Sequence, residues 1–205
     1  MDAKDGLPNR DSYLTLAREG TNKRTIERSR FLGSAGKVTT EDQAREFLRQ
    51  VRQIHSDATH NCCAWVLGTG GEHQFADDNG EPSGSAGRPI LGAIASLGLT
   101  NVCVVVTRYY GGKKLGIRGL IDAYGTTARE LLEELGNREE VLHDRLEVVC
   151  AYPEADRILY LLQQMDARIL ERQYTAIVRI EAAVRRRDVP EAVERLESFG
   201  EVRVL

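Results

Sequence analysis

Apolar and polar residues follow two periods along this chain. The clearest run is Asn101-Val102-Cys103-Val104-Val105-Val106-Thr107, continuously apolar and rich in β-branched residues. A strand reads this way when both of its faces are covered. Asn61 to Leu67 predicts another strand. Gly68-Thr69-Gly70-Gly71 turns the chain, and Glu72 to Ala76 returns as the hairpin partner. Upstream, Tyr13, Leu14 and Leu16, then Ile26, then Phe31 and Leu32 fall in short strand-like pieces separated by Gly20 and Gly33. The lead before them, Met1 to Asp11, is polar and expected to fray.

Helical spacing alternates with these strands. Thr40-Glu41-Asp42-Gln43 is a capping-box pattern, with the Thr40 hydroxyl on the Gln43 amide and Gln43 reaching back. Ala44, Phe47, Leu48, Val51 and Ile54 then share one face. Ile90, Leu91, Ile94, Ala95 and Leu97 mark a short helix stopped by Gly98. Leu120, Tyr124, Ala128, Leu131 and Leu135 line a longer one, leaving Asp122, Thr126, Arg129 and Glu133 to solvent. Gly136-Asn137 ends it. The charged stretch Arg138 to Asp144 places a domain boundary after residue 137, giving domains 1–137 and 138–205.

The second domain has its own pattern. Leu146 to Ala151 is strand-like, and Ile158, Leu159, Leu161, Leu162 and Met165 form a helical stripe. Ala167 to Glu171 and Tyr174 to Val184 read as two strands. Asp188 with Glu191 is expected to cap a last helix carrying Ala192, Val193, Leu196 and Phe199. Gly200 stops it before a closing strand, Glu201 to Leu205. The order β-α-β-β-α-β suggests a ferredoxin-like sandwich.

Composition narrows the function classes. Of 205 residues, 41% are apolar, enough for a folded core. No apolar run approaches the roughly 18–20 residues of a membrane span, and no signal peptide is visible, so a cytoplasmic protein is expected. Net charge is −3. Up to Gly136 there are 17 basic and 17 acidic residues, and beyond it 11 and 14. A uniformly basic nucleic-acid binder is therefore excluded, and any such contact must rest on a local patch. Cys62, Cys63, Cys103 and Cys150 sit in apolar runs with the spacing of neither a zinc site nor a disulfide framework.

Two glycine-rich junctions carry the candidate chemistry. The first is Asp77-Asp78-Asn79-Gly80-Glu81-Pro82-Ser83-Gly84-Ser85-Ala86-Gly87-Arg88-Pro89. Its carboxylates suit a hard cation or proton transfer. Equally, Asp-Asn-Gly is a turn sequence, and acids before a helix favour its positive end. Ser83 to Gly87 offers amides and hydroxyls as an anion cradle or as a tight turn with capping serines. Gly-x-Ser-x-Gly is absent, so Ser83 is no elbow nucleophile.

The second junction is Thr107-Arg108-Tyr109-Tyr110-Gly111-Gly112-Lys113-Lys114-Leu115-Gly116-Ile117-Arg118-Gly119. It matches neither a P-loop nor a dinucleotide fingerprint. Bases interleaved with aromatics suit phosphates and unstacked nucleobases. His55, Asp57, His60 and Asn61 precede a strand, in a His-x-Asp-x-x-His order that can ligate metal or cap and orient the strand entry. Arg185-Arg186-Arg187 decorates a turn or extends a basic face.

Asp57-Ala58-Thr59-His60-Asn61-Cys62, the acidic junction through Leu91, and Val104 through Gly112 resemble the IMPACT family, bacterial YigZ branch. Ser29-Arg30-Phe31 fits as well. The resemblance spans roughly Ser29 to Leu132. It implies an N-terminal ribosomal-protein-like sheet with helices on one face, as in domain IV of elongation factor G. It also implies a C-terminal ferredoxin-like domain similar to domain V of that factor. Eukaryotic members act in translational control, and no catalytic activity is established for the family. Here Leu115-Gly116-Ile117-Arg118-Gly119-Leu120 departs from the usual Leu-Gly-small-Gly-Gly-Leu. Asp122 stands where arginine is common, and Lys113 where an apolar residue is.

The expectation is an α+β, non-enzymatic protein that binds RNA, the ribosome or a translation factor without metal or cofactor. Its expected binding residues are Arg108, Tyr109, Tyr110, Lys113, Lys114 and Arg118. Asp78, Glu81 and Ser83 shape the rim, with Gly84 and His60 beside them. The alternative is a cation-dependent hydrolase or nucleotide-handling enzyme using Asp77, Asp78, Glu81 and His60.

Overall fold

The computed structural model describes residues 11–205. The frayed lead expected for Met1 to Asp11 lies outside the described residues except for Asp11, whose carbonyl accepts from the Leu142 amide at 2.7 Å. The fold is α+β, and the chain divides into two compact units, Tyr13–Glu140 and Val141–Leu205, the latter with Asp11 and Ser12.

Up to Val141 the chain carries β1 (Ser12–Leu16), β2 (Gly20–Ile26), β3 (Ser29–Lys37), α1 (Glu41–Ile54), β4 (His60–Leu67), β5 (His73–Asp77), α2 (Gly87–Ser96), β6 (Val102–Tyr109), α3 (Gly116–Leu135) and β7 (Asn137–Val141). β2 to β6 form an antiparallel five-stranded sheet in the order β2-β3-β6-β4-β5. The central place of β6 follows from its unbroken apolar run. Successive side chains of a strand point to opposite faces. Val102, Val104 and Val106 join Ile90, Ile94, Leu120 and Tyr124 from α2 and α3. Cys103 and Val105 meet Ala44, Leu48 and Val51 of α1 on the other face. Each buried Val, Leu or Ile among them contributes about 1.5–3 kcal/mol. Helices thus cover both faces, which corrects the expected one-sided arrangement. The physical reason is the apolar content of both faces of β6, which one helical layer would leave half exposed.

At the start of α1, Thr40 Oγ1 accepts from the Gln43 amide at 3.2 Å. The Gln43 side chain reaches one residue past the expected position, accepting from the amide and hydroxyl of Thr39 at 2.8 and 3.0 Å. Ile54 ends the helical stripe outside the core, 73% exposed. β7 pairs with β1 in a separate two-stranded sheet. Its sequence, Asn137-Arg138-Glu139-Glu140-Val141, reads as charged linker because backbone pairing demands no apolar face.

The second unit carries β8 (His143–Cys150), α4 (Ala155–Gln164), β9 (Arg168–Tyr174), β10 (Val178–Arg185), α5 (Val189–Leu196) and β11 (Glu201–Val204). The strands form an antiparallel sheet in the order β11-β8-β10-β9. Leu146, Val148, Ile180 and Val184 pack with Ile158 and Leu162 of α4 and Ala192 and Leu196 of α5. The β9–β10 turn falls at residues 175–177, later than the sequence suggests, and β9 continues through Tyr174. Asp188 stands at the N-cap of α5 without a side-chain capping bond. Its carboxylate pairs with Arg187 instead.

Candidate functional site

The antiparallel register sets His60, the first residue of β4, opposite Arg108 near the end of β6. The loops flanking these positions therefore gather at one end of the sheet. Thr59 N–H donates to Arg108 O at 2.9 Å, and Tyr110 N–H donates to Thr59 Oγ1 at 3.0 Å. Gly111 N–H donates to Ser29 Oγ at 3.2 Å. A Cβ on Gly111 would sit 2.0 Å from the Arg28 carbonyl oxygen, so this close approach requires glycine.

The acidic junction closes on itself. Asp78 Oδ2 accepts from the Gly84 amide at 2.7 Å, and Oδ1 accepts from the amides of Ala86 and Gly87 at 2.9 and 2.8 Å. The anion cradle read from Ser83 to Gly87 is therefore filled by the chain's own carboxylate at the start of α2. Burial pushes the Asp78 carboxyl up, but the amides of Gly84, Gly87 and Ala86 outweigh it and hold it below its ordinary value. Asp77 Oδ1 accepts from the Asn79 amide at 2.9 Å, and Oδ2 from Arg52 at 3.1 Å.

Glu81 is not at the rim. Its side chain is 4% exposed and pairs with Arg108, 6% exposed, at 2.7 Å. The Tyr124 hydroxyl donates to the same Glu81 oxygen at 2.9 Å. His60 Nε2 stands 3.9 Å from it. Nδ1 of His60 faces the Asn79 carbonyl at 2.8 Å, which places a proton on Nδ1. The second Arg108 terminal nitrogen reaches Ser29 Oγ at 3.4 Å. The guanidinium lies between two rings, 5.5 Å from the Phe31 centroid and 5.3 Å from that of Tyr110. Its Nε is buried and has no partner among the described residues. Nearby, burial pushes the Cys62 thiol up to about 12, so it carries no thiolate at neutral pH.

This network floors an open cleft of about 490 Å³. Pro82, Leu115, Ile117 and Leu120 give it apolar walls, and Thr59, His60, Tyr110, Lys114 and Gly116 complete the lining. The two junctions, distant in sequence, meet here. Glu81 and Lys114 line the same cleft.

The remaining expected residues lie elsewhere. Lys113 is ion-paired with Glu27 on the surface. The Tyr109 hydroxyl donates to Asp57 at 3.1 Å and contacts His55 Nδ1 at 3.0 Å, with Arg30 over its ring. His55 and Asp57 thus meet at Tyr109 and not at His60. Arg118 and Ser83 are exposed outside the cleft lining. The Gly84 amide is occupied by Asp78. His60 and Glu81 meet, but Asp77 and Asp78 are held by Arg52 and by the amides of Gly84, Ala86 and Gly87, so the four do not form one set. Among the described residues no three His, Cys, Asp or Glu side chains are grouped to hold a metal ion. Arg186 pairs with Asp144, and Arg187 with Asp188 and Asp11, so the arginine run is largely neutralised.

Sequence reasoning missed Tyr124, assigned to the core face of α3, and the apolar wall Leu115, Ile117 and Leu120. Tyr124 carried one usable signal. A tyrosine on an otherwise apolar stripe needs a hydrogen-bond partner for its hydroxyl when buried.

Comparison with known proteins agrees with the motifs. Residues 27–132 match the family model of the Impact N-terminal domain, and residues 148–200 match that of a domain of unknown function, DUF1949. The chain is 38% identical over 177 residues to the IMPACT family member YvyE of Bacillus subtilis, covering 86% of this chain and 82% of that protein. It is 34% identical over 193 residues to the IMPACT family member YigZ of Escherichia coli, covering 93% and 94%. A crystal structure of a hypothetical protein superposes with a TM-score of 0.69 at 32% identity, covering 96% of this chain and 97% of that one. With both family models matched in order along one chain, the protein belongs to the IMPACT family and is related to YigZ and YvyE.

Proposed function

We propose that this protein is a non-enzymatic factor acting in translation, and that the cleft of its first unit contacts RNA of the translation machinery. The observation that carries the reading is the meeting of Lys114, Tyr110 and the first turn of α3 around one cleft. A lysine, an exposed ring and an uncapped helix start together suit a phosphate chain bearing unstacked bases. The buried Glu81 beneath them, paired with Arg108, suits a rigid support better than proton transfer. The finer fold assignments belong to the same proposal. The order β11-β8-β10-β9 with helices after β8 and β10 supports a ferredoxin-like second unit. The antiparallel five-stranded sheet supports a relation of the first unit to domain IV of elongation factor G. A cytoplasmic location is part of this reading. Among the described residues, no helix is long and apolar enough to cross a membrane.

The test is affinity capture of the intact protein with RNA retained, followed by sedimentation with ribosomes at rising salt. RNA or ribosomes should be recovered, with affinity falling as salt rises. Lys114→Ala should reduce the salt slope by about 1. A protein partner recovered without RNA, or binding indifferent to salt, would replace this reading.

A further inference from the structure

Resting on that reading, we infer that the cleft seats one unstacked nucleotide. Its phosphate lies at the first turn of α3 beside Lys114, and its base lies against Tyr110. α3 runs for 20 residues from Gly116, its N-cap Leu115 makes no side-chain capping bond, and it has no acidic residue in its first turn. The first amides of a helix have no intrahelical acceptor and carry its positive end. Lys114 lies next to them, is exposed, and forms no ion pair among the described residues.

A separate observation comes from the floor. Arg108 is 5% exposed, lines the cleft, and keeps one buried nitrogen, Nε, without a partner among the described residues. Such an atom costs stability unless something supplies an acceptor. The carboxylate in the lining, Glu81, is already offset by Arg108 and bound by Tyr124, so it opposes an incoming anion little.

The rest of the cleft lining suits a ring. Tyr110 is 45% exposed and backed by the Arg108 guanidinium. Ile117, 61% exposed, supplies an apolar wall beside it. The Thr59 hydroxyl accepts from the Tyr110 amide, which leaves its proton free for a base edge. A volume of about 490 Å³ falls within the ~300–1,000 Å³ of small-molecule clefts.

The nucleotide can come from a single strand or be free, and two probes separate these sources. One is a labelled single-stranded RNA hexamer read by anisotropy. The other is a set of free nucleoside 5′-monophosphates read by calorimetry. Both use the intact protein. We expect at least one probe to bind. Lys114→Ala and Tyr110→Ala, both at exposed side chains, should each weaken it about ten-fold. Lys113→Ala, whose charge is already paired, should change it less than about two-fold. Ribose 5-phosphate, which lacks the base, should bind far more weakly than either probe. RNA binding that ignores both cleft variants overturns the nucleotide seat and leaves the RNA reading standing. Free nucleotides bound through Lys114 and Tyr110, with no RNA bound, support the seat and overturn the RNA reading. Binding of neither probe overturns the seat.

Discussion

Helices α2 and α3 pack against the same face of the five-stranded sheet, yet their N-termini are treated in opposite ways. The start of α2 is filled: Asp78 takes the amides of Ala86 and Gly87, and also that of Gly84 in the preceding loop. The start of α3, a helix twice as long, has no acid in its first turn and no side-chain capping bond. Each helix start carries roughly half a positive charge. In α2 that charge is used to fix a loop. In α3 it remains directed at an open cleft. Glycine-rich, helix-opening loops that look alike in sequence thus serve different ends, and the position of one aspartate separates them.

The largest effect should come from the pair that ties the two loops together. Glu81 lies before α2 and Arg108 before α3, and both are buried. Arg108→Ala strands the Glu81 carboxylate away from water, at a cost of about 3–5 kcal/mol. Urea unfolding of the first unit measures this. Glu81→Ala should cost a similar amount, and the double variant should cost much less than the sum. Additive losses would mean that the two loops are anchored independently.

Next in size is the filled start itself. Asp78→Ala removes the acceptor of three amides and should destabilise by about 2–3 kcal/mol, measured the same way. Its pH dependence has a definite sign. The folded Asp78 carboxyl lies below its ordinary value of 3.8. Its contribution is therefore complete above that value and is lost as pH falls through the lower folded value. The stability gap between wild type and Asp78→Asn should be constant near neutrality and close only below about pH 4. A gap that closes between pH 5 and 7 would assign the effect to another group.

The sequence made some of this legible, for physical reasons. β6 was readable because a strand covered on both faces has no polar alternation to confuse it. α3 was readable because Leu120, Tyr124, Ala128, Leu131 and Leu135 repeat over about four turns. β7 was not, since a charged segment pairing through its backbone leaves no hydrophobic signature. Helices on both faces were implied by β6 itself, but the one-sided family expectation obscured them. The gathering of the two junctions was legible as a pairing of strand ends, while the role of each charge was not. Asp77 and Asp78 are neighbours with unrelated partners, because the chain reverses at Asn79 and Gly80, both at positive φ. Which of Arg108, Lys113, Lys114 and Arg118 would be buried depends on the register that sets His60 opposite Arg108. No local pattern encodes that register.

The smallest effect is the most direct test of the comparison. Arg118, the third residue of α3, lies in its first turn and is exposed; Arg88, the second residue of α2, lies in the first turn of that helix and is also exposed. Arg118→Glu puts an acid where none is present and should stabilise the first unit by about 0.3–1 kcal/mol. Arg88→Glu puts a second acid beside Asp78 and removes a cation that favours its ionised form, so it should destabilise by a similar amount. Thermal unfolding in low salt should therefore move in opposite directions for the two variants, by a few degrees at most, and salt should shrink both shifts. If α3 already held an anion of its own, both substitutions would lower the midpoint. A rise for Arg118→Glu alone, accompanied by weaker nucleotide binding, would mean that the charge at this helix start is kept for a ligand at the expense of stability.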